Sequence, residues 1–199
     1  MNKRFYDILG AILTPVYSLL WPSRVKGLEN IPETGGFILC ANHMHYRDPL
    51  FLSVRVKKRR ITYMAKEELF KNPLLSRVIG EKGLGAIPVS RGNTDLRAVR
   101  AALQVVAEGN ALGIFPQGTR SRDNSPTPML NGAGMIAVRA QAPVIPVYID
   151  GPYRLFRHVD VTVGAPIDLS DIGRRANMEV LTEVTGRIER AVWSMRTSE

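Results

Sequence analysis

The most regular feature of the sequence is a series of short, uninterrupted apolar runs, each followed by polar or glycine-rich residues. Runs of this length, rich in β-branched side chains and bounded by turn residues, predict buried strands. We expect strands at 37–41, 61–65, 86–89, 111–115, 144–149 and 158–163.

Between these runs, apolar positions recur at helical spacing. We expect helices at 48–56, where Asp48 caps and Pro49 opens the helix, from a cap at Asn93 or Thr94 to Glu108, at 131–141 and at 176–196. The second of these should bury Leu96, Val99, Leu103 and Val106. Strand alternating with helix predicts an α/β fold, here a single layered domain with a mostly parallel central sheet flanked by helices.

The first 23 residues follow a different pattern. The uncharged stretch from Ile8 to Trp21 is shorter than the roughly 20 residues needed to span a bilayer, and Pro15 interrupts it. Its cationic start and its aromatic residues suit a helix pair in the headgroup region. We therefore expect residues 1–23 to be an interfacial, membrane-associating segment and residues 24–199 to be the α/β domain. A signal peptide and helices packed on the domain's own core are the alternatives.

Composition restricts the possible partners. Lys and Arg outnumber Asp and Glu by 27 to 18, which gives a net charge of +9 and favours nucleic acid, anionic lipid or an acidic protein. Nucleic acid is disfavoured because no zinc-finger spacing, RNP-like strand or basic heptad array occurs. Five cations within positions 55–60 could attract an anionic membrane or carrier protein. The one cysteine, Cys40, excludes an intramolecular disulfide.

The strongest candidate for chemistry is His43, just past the first buried run, with Asp48 five positions later. A turn between them lets the carboxylate hold one imidazole nitrogen, so that the other is an oriented general base. A loop histidine beside a helix-capping aspartate is the simpler interpretation. A metal site of His43, His45 and Asp48 is another, but the chain's remaining histidine, His158, belongs to no cluster that would complete a ligand shell.

Cationic and glycine residues follow three further predicted strands: Lys66, Arg91 and the turn Gly118-Thr119-Arg120. Ligands of open α/β sheets bind outside the carboxyl ends of the strands. Backbone N–H groups, a hydroxyl and cations at one edge are typical of phosphate binding. The sequence therefore predicts a site for an anion that carries a hydroxyl near the base.

These motifs resemble the glycerol-3-phosphate/1-acylglycerol-3-phosphate acyltransferase superfamily. Residues 42–48 match its Asn-His-x4-Asp block, residues 85–91 its second block and residues 115–121 its third, while residues 144–147 resemble its fourth. The blocks occur in the right order over more than half of the chain.

The resemblance implies roles for individual residues. His43 would deprotonate the acceptor hydroxyl, Asp48 would orient His43, and Arg91 and Arg120 would hold the acceptor phosphate. Lys66 is added from its position at a strand end. The sequence departs from the family at residue 117, where Gln stands in place of the usual Glu, which puts the preferred head group in doubt.

The resemblance also implies a reaction. A fatty acyl chain would pass from acyl-CoA or acidic acyl-carrier protein to the free hydroxyl of lysophosphatidic acid, forming phosphatidic acid, without a cofactor or a metal. The enzyme would sit at the cytoplasmic face of the cell membrane, as a peripheral or monotopic protein. An acyltransferase for a different lysolipid and a non-catalytic module that binds anionic lipid are the alternatives.

Overall fold

The computed structural model describes residues 1–90, 95–121, 123–173 and 175–196, which form a central sheet with helices on both faces. The helices are α1 (Lys3–Leu20), α2 (Asp48–Arg55), α3 (Pro73–Ile79), α4 (Leu96–Ala107), α5 (Asn131–Ala140) and α6 (Met178–Trp193). The strands are β1 (Val25–Lys26), β2 (Phe37–Ala41), β3 (Ile61–Lys66), β4 (Ile87–Val89), β5 (Ala111–Ile114), β6 (Val144–Asp150) and β7 (Asp160–Val163). Short 3₁₀ helices lie at Leu28–Asn30 and Glu67–Lys71.

The sheet has seven strands in the order β1-β7-β6-β2-β5-β3-β4. Every neighbouring pair is parallel except β6 with β7, which is antiparallel. The predicted α/β fold with a mostly parallel sheet is therefore confirmed. Since β6, β2, β5, β3 and β4 run in one direction, their carboxyl ends meet at a single edge of the sheet.

Strand β2 lies in the middle of the sheet and is buried along its whole length. Its side chains alternate between two apolar layers, because successive residues of a strand point to opposite faces. Phe37, Leu39 and Ala41 join the layer beneath α1 and α2. Ile38 and Cys40 join the layer beneath α4, α5 and α6.

Several predicted boundaries differ from the observed ones. Helix α4 is capped by Asp95, whose carboxylate accepts from Arg97 N and Ala98 N, while Asn93 and Thr94 lie outside the described residues. The later start makes Leu96 the first helical residue, 54% exposed, so its predicted burial is wrong. The buried positions of α4 are Ala98, Val99, Ala102 and Val106. Asp48 is the first residue of α2 and not its cap, and the two-residue strand β1 was too short to predict.

The N-terminal segment is one helix and not the predicted pair, with Pro15 inside it. Its inner side buries Tyr6 and Tyr17, and Trp21 just past its end is buried as well. Its outer side exposes a stripe at helical spacing: Ile8 (52%), Ile12 (59%), Val16 (45%) and Leu19 (68%). None of the helices in the described part of the chain is long and apolar enough to cross a membrane.

The arginines of the basic run 55–60 hold the fold together. Arg55 donates to the carbonyl oxygens of Tyr17 and Trp21 at the end of α1, and the Tyr17 carbonyl also accepts from Trp21 N–H. Arg59 donates to three loop carbonyls, those of Pro32, Gly35 and Gly109. Arg60 pairs with Asp7 of α1. Much of this positive charge therefore serves internal contacts.

We expect Tyr17→Ala to lower the free energy of unfolding by about 3 kcal/mol, because it empties an aromatic site in the core. The ring packs on Trp21 at 5.2 Å and on Phe51 at 6.2 Å between centroids. Leu19→Ala, two positions along the same helix, is the matched control and should change stability by less than about 0.5 kcal/mol. Urea denaturation measures both, and two equally small effects would show that α1 is not part of the folded core.

Candidate active site

The centre of the site is the pair His43 and Asp48, at the carboxyl end of β2. His43 Nδ1 lies 2.7 Å from Asp48 Oδ2. In a neutral imidazole this hydrogen bond selects the tautomer protonated at Nδ1, whose Nε2 can accept a proton. The His43 side chain is 19% exposed and that of Asp48 is fully buried. The pair thus has the geometry of a general base and its orienting group.

The Asp48 carboxylate also shapes the turn that carries the base. Its Oδ2 accepts from the backbone N–H groups of Met44 at 2.7 Å and His45 at 2.8 Å. Asp48 is in the first turn of α2, where the helix dipole stabilises negative charge. These bonds fix the chain between His43 and Asp48 as a tight loop, so the imidazole cannot turn away without breaking them.

Aromatic rings support the imidazole from one side. The ring of Phe115 stacks on His43 with centroids 4.3 Å apart, and Tyr63 stacks on Phe115 at 5.7 Å. Phe115 immediately follows β5, the parallel neighbour of β2. Phe115 thus covers one face of the imidazole.

The loop after β5 is bound to the backbone of His43 at two points. The Gln117 side-chain carbonyl accepts from His43 N, and Ser121 N–H donates to His43 O at 2.9 Å. Gln117 is only 4% exposed. The residue that departs from the family pattern therefore positions the base through its backbone, a contact that needs only a side-chain oxygen.

Asn42, the residue before His43, joins three segments beneath the site. Its side chain accepts from Ile149 N at 2.7 Å and donates to Ile149 O at 2.9 Å and to Asn124 Oδ1 at 2.8 Å. Asn124 in turn donates to the Tyr148 hydroxyl at 2.9 Å. Because these groups are buried and satisfied, they set the position of β2 against β6.

Some of the predicted phosphate-binding residues lie beside His43 and others do not. Gly118 adopts a φ of +65°, which favours glycine, and Thr119 and Arg120 are exposed next to it. The Ser121–His43 bond brings this turn beside the base. Lys66, the last residue of β3, instead pairs with Glu68 at 3.0 Å. The structure does not join it to His43 by a contact.

Arg91 lies outside the described residues. Strand β4, which precedes it, ends at Val89 and is separated from β2 by β3 and β5. At about 4.8 Å between strands, that separation is roughly 14 Å. Arg91 therefore stays a prediction.

His45 has different surroundings from His43. Arg47 Nη1 lies 3.2 Å from its Nε2, and its ring packs on Tyr46 and Tyr153. Burial, followed by the charge of Arg47, lowers the pKa of His45, and Arg120 contributes in the same direction. The neutral ring can accept the Arg47 hydrogen bond, so the two imidazoles face different partners. In the described part of the chain no three His, Cys, Asp or Glu side chains are grouped to hold a metal ion.

Sequence reasoning missed Tyr153, which follows β6. Its ring packs against Trp21, Phe51 and His45, with centroids 5.8, 5.4 and 5.3 Å away. Burial, and then the charge of Asp48, raises the pKa of Tyr153. Its position after a predicted strand could have marked it as a candidate. Only the order of strands in the sheet shows that this strand, β6, lies next to β2.

Cys40 lies three residues before His43 yet belongs to the opposite side of the sheet. Its thiol is fully buried in the layer beneath α4, α5 and α6. Burial raises the pKa of the Cys40 thiol to about 12. Because the thiolate is the nucleophilic form, this cysteine is unreactive at neutral pH.

Comparison with known proteins adds independent evidence. The sequence model of the family described as Acyltransferase matches residues 22–150. The 1-acyl-sn-glycerol-3-phosphate acyltransferase of Bacillus subtilis (strain 168) is 29% identical over 94% of this chain and 94% of its own length. The protein of that name from Streptococcus pneumoniae is 30% identical over 94% of this chain and 72% of its own.

A solved structure is similar as well. The crystal structure of the 1-acyl-sn-glycerophosphate (LPA) acyltransferase PlsC from Thermotoga maritima superposes with a TM-score of 0.74 at 27% identity. The match covers 100% of this chain and 86% of that one. Sequence blocks, fold and relatives agree, and the chain belongs to the acyltransferase family.

Proposed function

We propose that this acyltransferase moves a fatty acyl chain from a thioester to the free hydroxyl of a 1-acylglycerol 3-phosphate, producing phosphatidic acid. The observation that carries the proposal is the 2.7 Å contact between His43 Nδ1 and Asp48 Oδ2, beside the Arg120 turn. It supplies a base for a hydroxyl and a cation for a phosphate at one edge of the sheet. The relatives named above support the choice of acceptor.

In the proposed reaction His43 Nε2 takes the proton of the acceptor hydroxyl. The oxygen then attacks the thioester carbonyl carbon, the carbon–sulfur bond breaks, and the departing thiolate takes the proton from His43. Asp48 stabilises the imidazolium that forms between these steps. The balance requires only the two substrates, so the thioester is a substrate and no resident cofactor enters. A serine or cysteine nucleophile is not needed.

Arg120 and the backbone of Gly118 and Thr119 would bind the phosphate of the acceptor. Arg120 is exposed and lies within electrostatic reach of His45. A guanidinium can bind a phosphate through two parallel hydrogen bonds. Lys66, the last residue of β3, and Arg91, two positions after β4 in the sequence, stay candidates for contacts with the same phosphate.

The exposed stripe of α1 would place the enzyme at a membrane. Ile8, Ile12 and Leu19 face solvent on the outer side, while the inner side packs on the core. An amphipathic helix of this kind lies in the headgroup region with its apolar side toward the acyl chains. We propose attachment at the cytoplasmic face, where both acyl-CoA and acyl-carrier protein are available as donors.

Offering the purified protein a panel of lysolipids with each donor, and identifying products by mass, tests the function. Phosphatidic acid should form from 1-acylglycerol 3-phosphate, with and without a chelator. His43→Ala should lower the rate roughly 10²–10⁴-fold, the contribution that is typical for a positioned base. If only another lysolipid were converted, the proposed acceptor would be wrong. Binding without turnover would leave a lipid-binding module, and loss of activity with the chelator would indicate metal chemistry.

If the acyl chain passes directly from donor to acceptor, substitutions at Asp48 and at Cys40 should have different effects on the rate. Asp48→Asn should reduce the rate about as much as His43→Ala, because the tautomer and orientation of the base are lost. Cys40→Ala should keep most of the activity, since its thiol faces the other layer. Incubation with labelled thioester followed by denaturation checks this. Label retained on the wild type but absent from Cys40→Ala would overturn direct transfer.

The raised pKa of Cys40 also predicts how stability depends on pH. The folded-state pKa of about 12 exceeds the ordinary thiol pKa of 9.0, so the buried neutral thiol favours the folded state below about pH 9. That contribution should fall as pH rises toward 12. Denaturation of wild type and Cys40→Ala at pH values on both sides of 9.0 measures it. An equal loss in both proteins would assign the alkaline destabilisation to other groups.

For the phosphate contact, we expect Arg120→Ala to raise the KM for the lysophospholipid about tenfold or more and to leave the donor KM nearly unchanged. Arg120→Lys should recover only part of the loss, because an ammonium cannot make the two-bond contact. Arg139→Ala, at an exposed arginine of α5, is the matched control. Equal changes in both KM values would point to misfolding.

Gln117 tests whether the loop positions the base. Gln117→Glu keeps an oxygen for His43 N, so activity and head-group preference should stay close to wild type. Gln117→Leu has similar size but no acceptor, and it leaves a backbone N–H unsatisfied, which costs about 1–3 kcal/mol. It should therefore lower kcat with little effect on either KM. A changed head-group preference in Gln117→Glu would show instead that this position contacts the acceptor.

A further inference from the structure

The segment between β6 and β7 ends in an exposed tip, residues 154–158. All five residues, Arg-Leu-Phe-Arg-His, are exposed, with Leu155 at 60% and Phe156 at 65%. Two large apolar side chains thus stand side by side in solvent with a cation on each side. Because each of these two side chains keeps more than half of its surface in solvent, packing within the chain does not account for them.

The tip is fixed against the end of α1. Phe156 N–H donates to Leu20 O at 2.7 Å, which satisfies one of the last carbonyl groups of the helix. A second bond joins Val159 N–H to Pro22 O at 2.9 Å. Leu19, 68% exposed, precedes the carbonyl that Phe156 caps. The backbone of the tip therefore lies beside the end of α1, next to the exposed Leu19.

The tip also lies beside the site. Tyr153, directly before it, packs against His45 and against Trp21. Tyr46, in the loop that carries the base, is 62% exposed. The tip therefore contacts the end of α1 directly and is linked to the catalytic loop through Tyr153.

The backbone of Phe156 is unusual as well. Its φ is +61°, a left-handed conformation that bulky side chains rarely adopt. Such positions are found where surrounding contacts hold the residue for a purpose. Here the bond to Leu20 holds the backbone while the ring projects into solvent.

We propose that the 154–158 tip is a second membrane-contact element, which inserts Leu155 and Phe156 into an anionic bilayer while Arg154 and Arg157 meet lipid headgroups. An apolar pair between cations matches the interface, where rings and aliphatic groups enter the acyl boundary and cations stay at the phosphates. The proposal rests on the proposed attachment through α1, since the tip is bonded to the last turn of that helix. With two contacts, the membrane would hold the open side of His43 at a fixed height above the lipid.

The test measures partitioning of the full-length protein onto vesicles of phosphatidylcholine with and without phosphatidylglycerol. The variant is Leu155→Ser with Phe156→Asn, because Asn tolerates a positive φ and removes the apolar ring. The matched control is Leu96→Ser with Met178→Ser, two exposed apolar residues at 54% and 69% on α4 and α6. We expect the tip variant to bind anionic vesicles about tenfold less tightly or worse, and the control to bind as wild type does.

A Trp placed at Phe156 should also be quenched by brominated lipid, whereas a Trp placed at Met178 should not. Vesicle binding by the tip variant equal to wild type, or no quenching at 156, would overturn the proposal. A second variant, Ile8→Ser with Ile12→Ser, examines α1 alone, so loss there with none at the tip would leave α1 as the sole contact. Turnover of detergent-dispersed lysolipid, measured alongside, tests the proposed reaction separately and should be unchanged in the tip variant.

Discussion

The buried carboxylate of Asp48 is the constraint on which the site depends. Moving a carboxylate out of water costs several kcal/mol unless hydrogen bonds replace its hydration. One oxygen accepts from Met44 N, His45 N and His43 Nδ1, and charge-assisted bonds of this kind are the strong ones. Each of these donors lies in the loop after β2. The need to satisfy one charge therefore sets the loop conformation and the orientation of the base together.

The anion side of the site depends on the same loop through the backbone of His43. Gln117 accepts from its N–H and Ser121 donates to its carbonyl oxygen, so the turn at Gly118 cannot shift independently of the base. Below it, Asn42 ties β2 to Ile149. Proximity effects in catalysis require reacting groups to be held within a fraction of an ångström. In the proposed reaction, the hydrogen bonds around His43 would hold the base and the Gly118 turn in fixed positions relative to each other.

The sequence predicted what local pattern determines. The strand at 37–41, the turn to Asp48 and the parallel sheet follow from apolar runs and spacing, and the structure has them. It did not predict the contacts of Tyr153 or Asn124, because these join residues far apart in the chain through the sheet order. The single helix through Pro15 was missed for a similar reason. Both ends of α1 are anchored, by Asn2 N–H on Gly83 O and by Arg55 on the last carbonyls, and these tertiary contacts outweigh the local tendency of proline to break a helix.

Net charge alone does not identify the surface that would meet a membrane in the proposed attachment. Three of the five cations of the basic run, Arg55, Arg59 and Arg60, are bound to backbone or to Asp7, and Lys57 and Lys58 are exposed. Helix α1 is distinctive because one side is buried in the core and the other exposes apolar side chains. Its inner aromatic residues are committed to the core, so the helix cannot sink deeply into lipid without unfolding part of the domain. Its outer stripe is free to enter the interface. The packing of Tyr17 and Trp21 would therefore limit how deeply α1 enters lipid in the proposed membrane attachment.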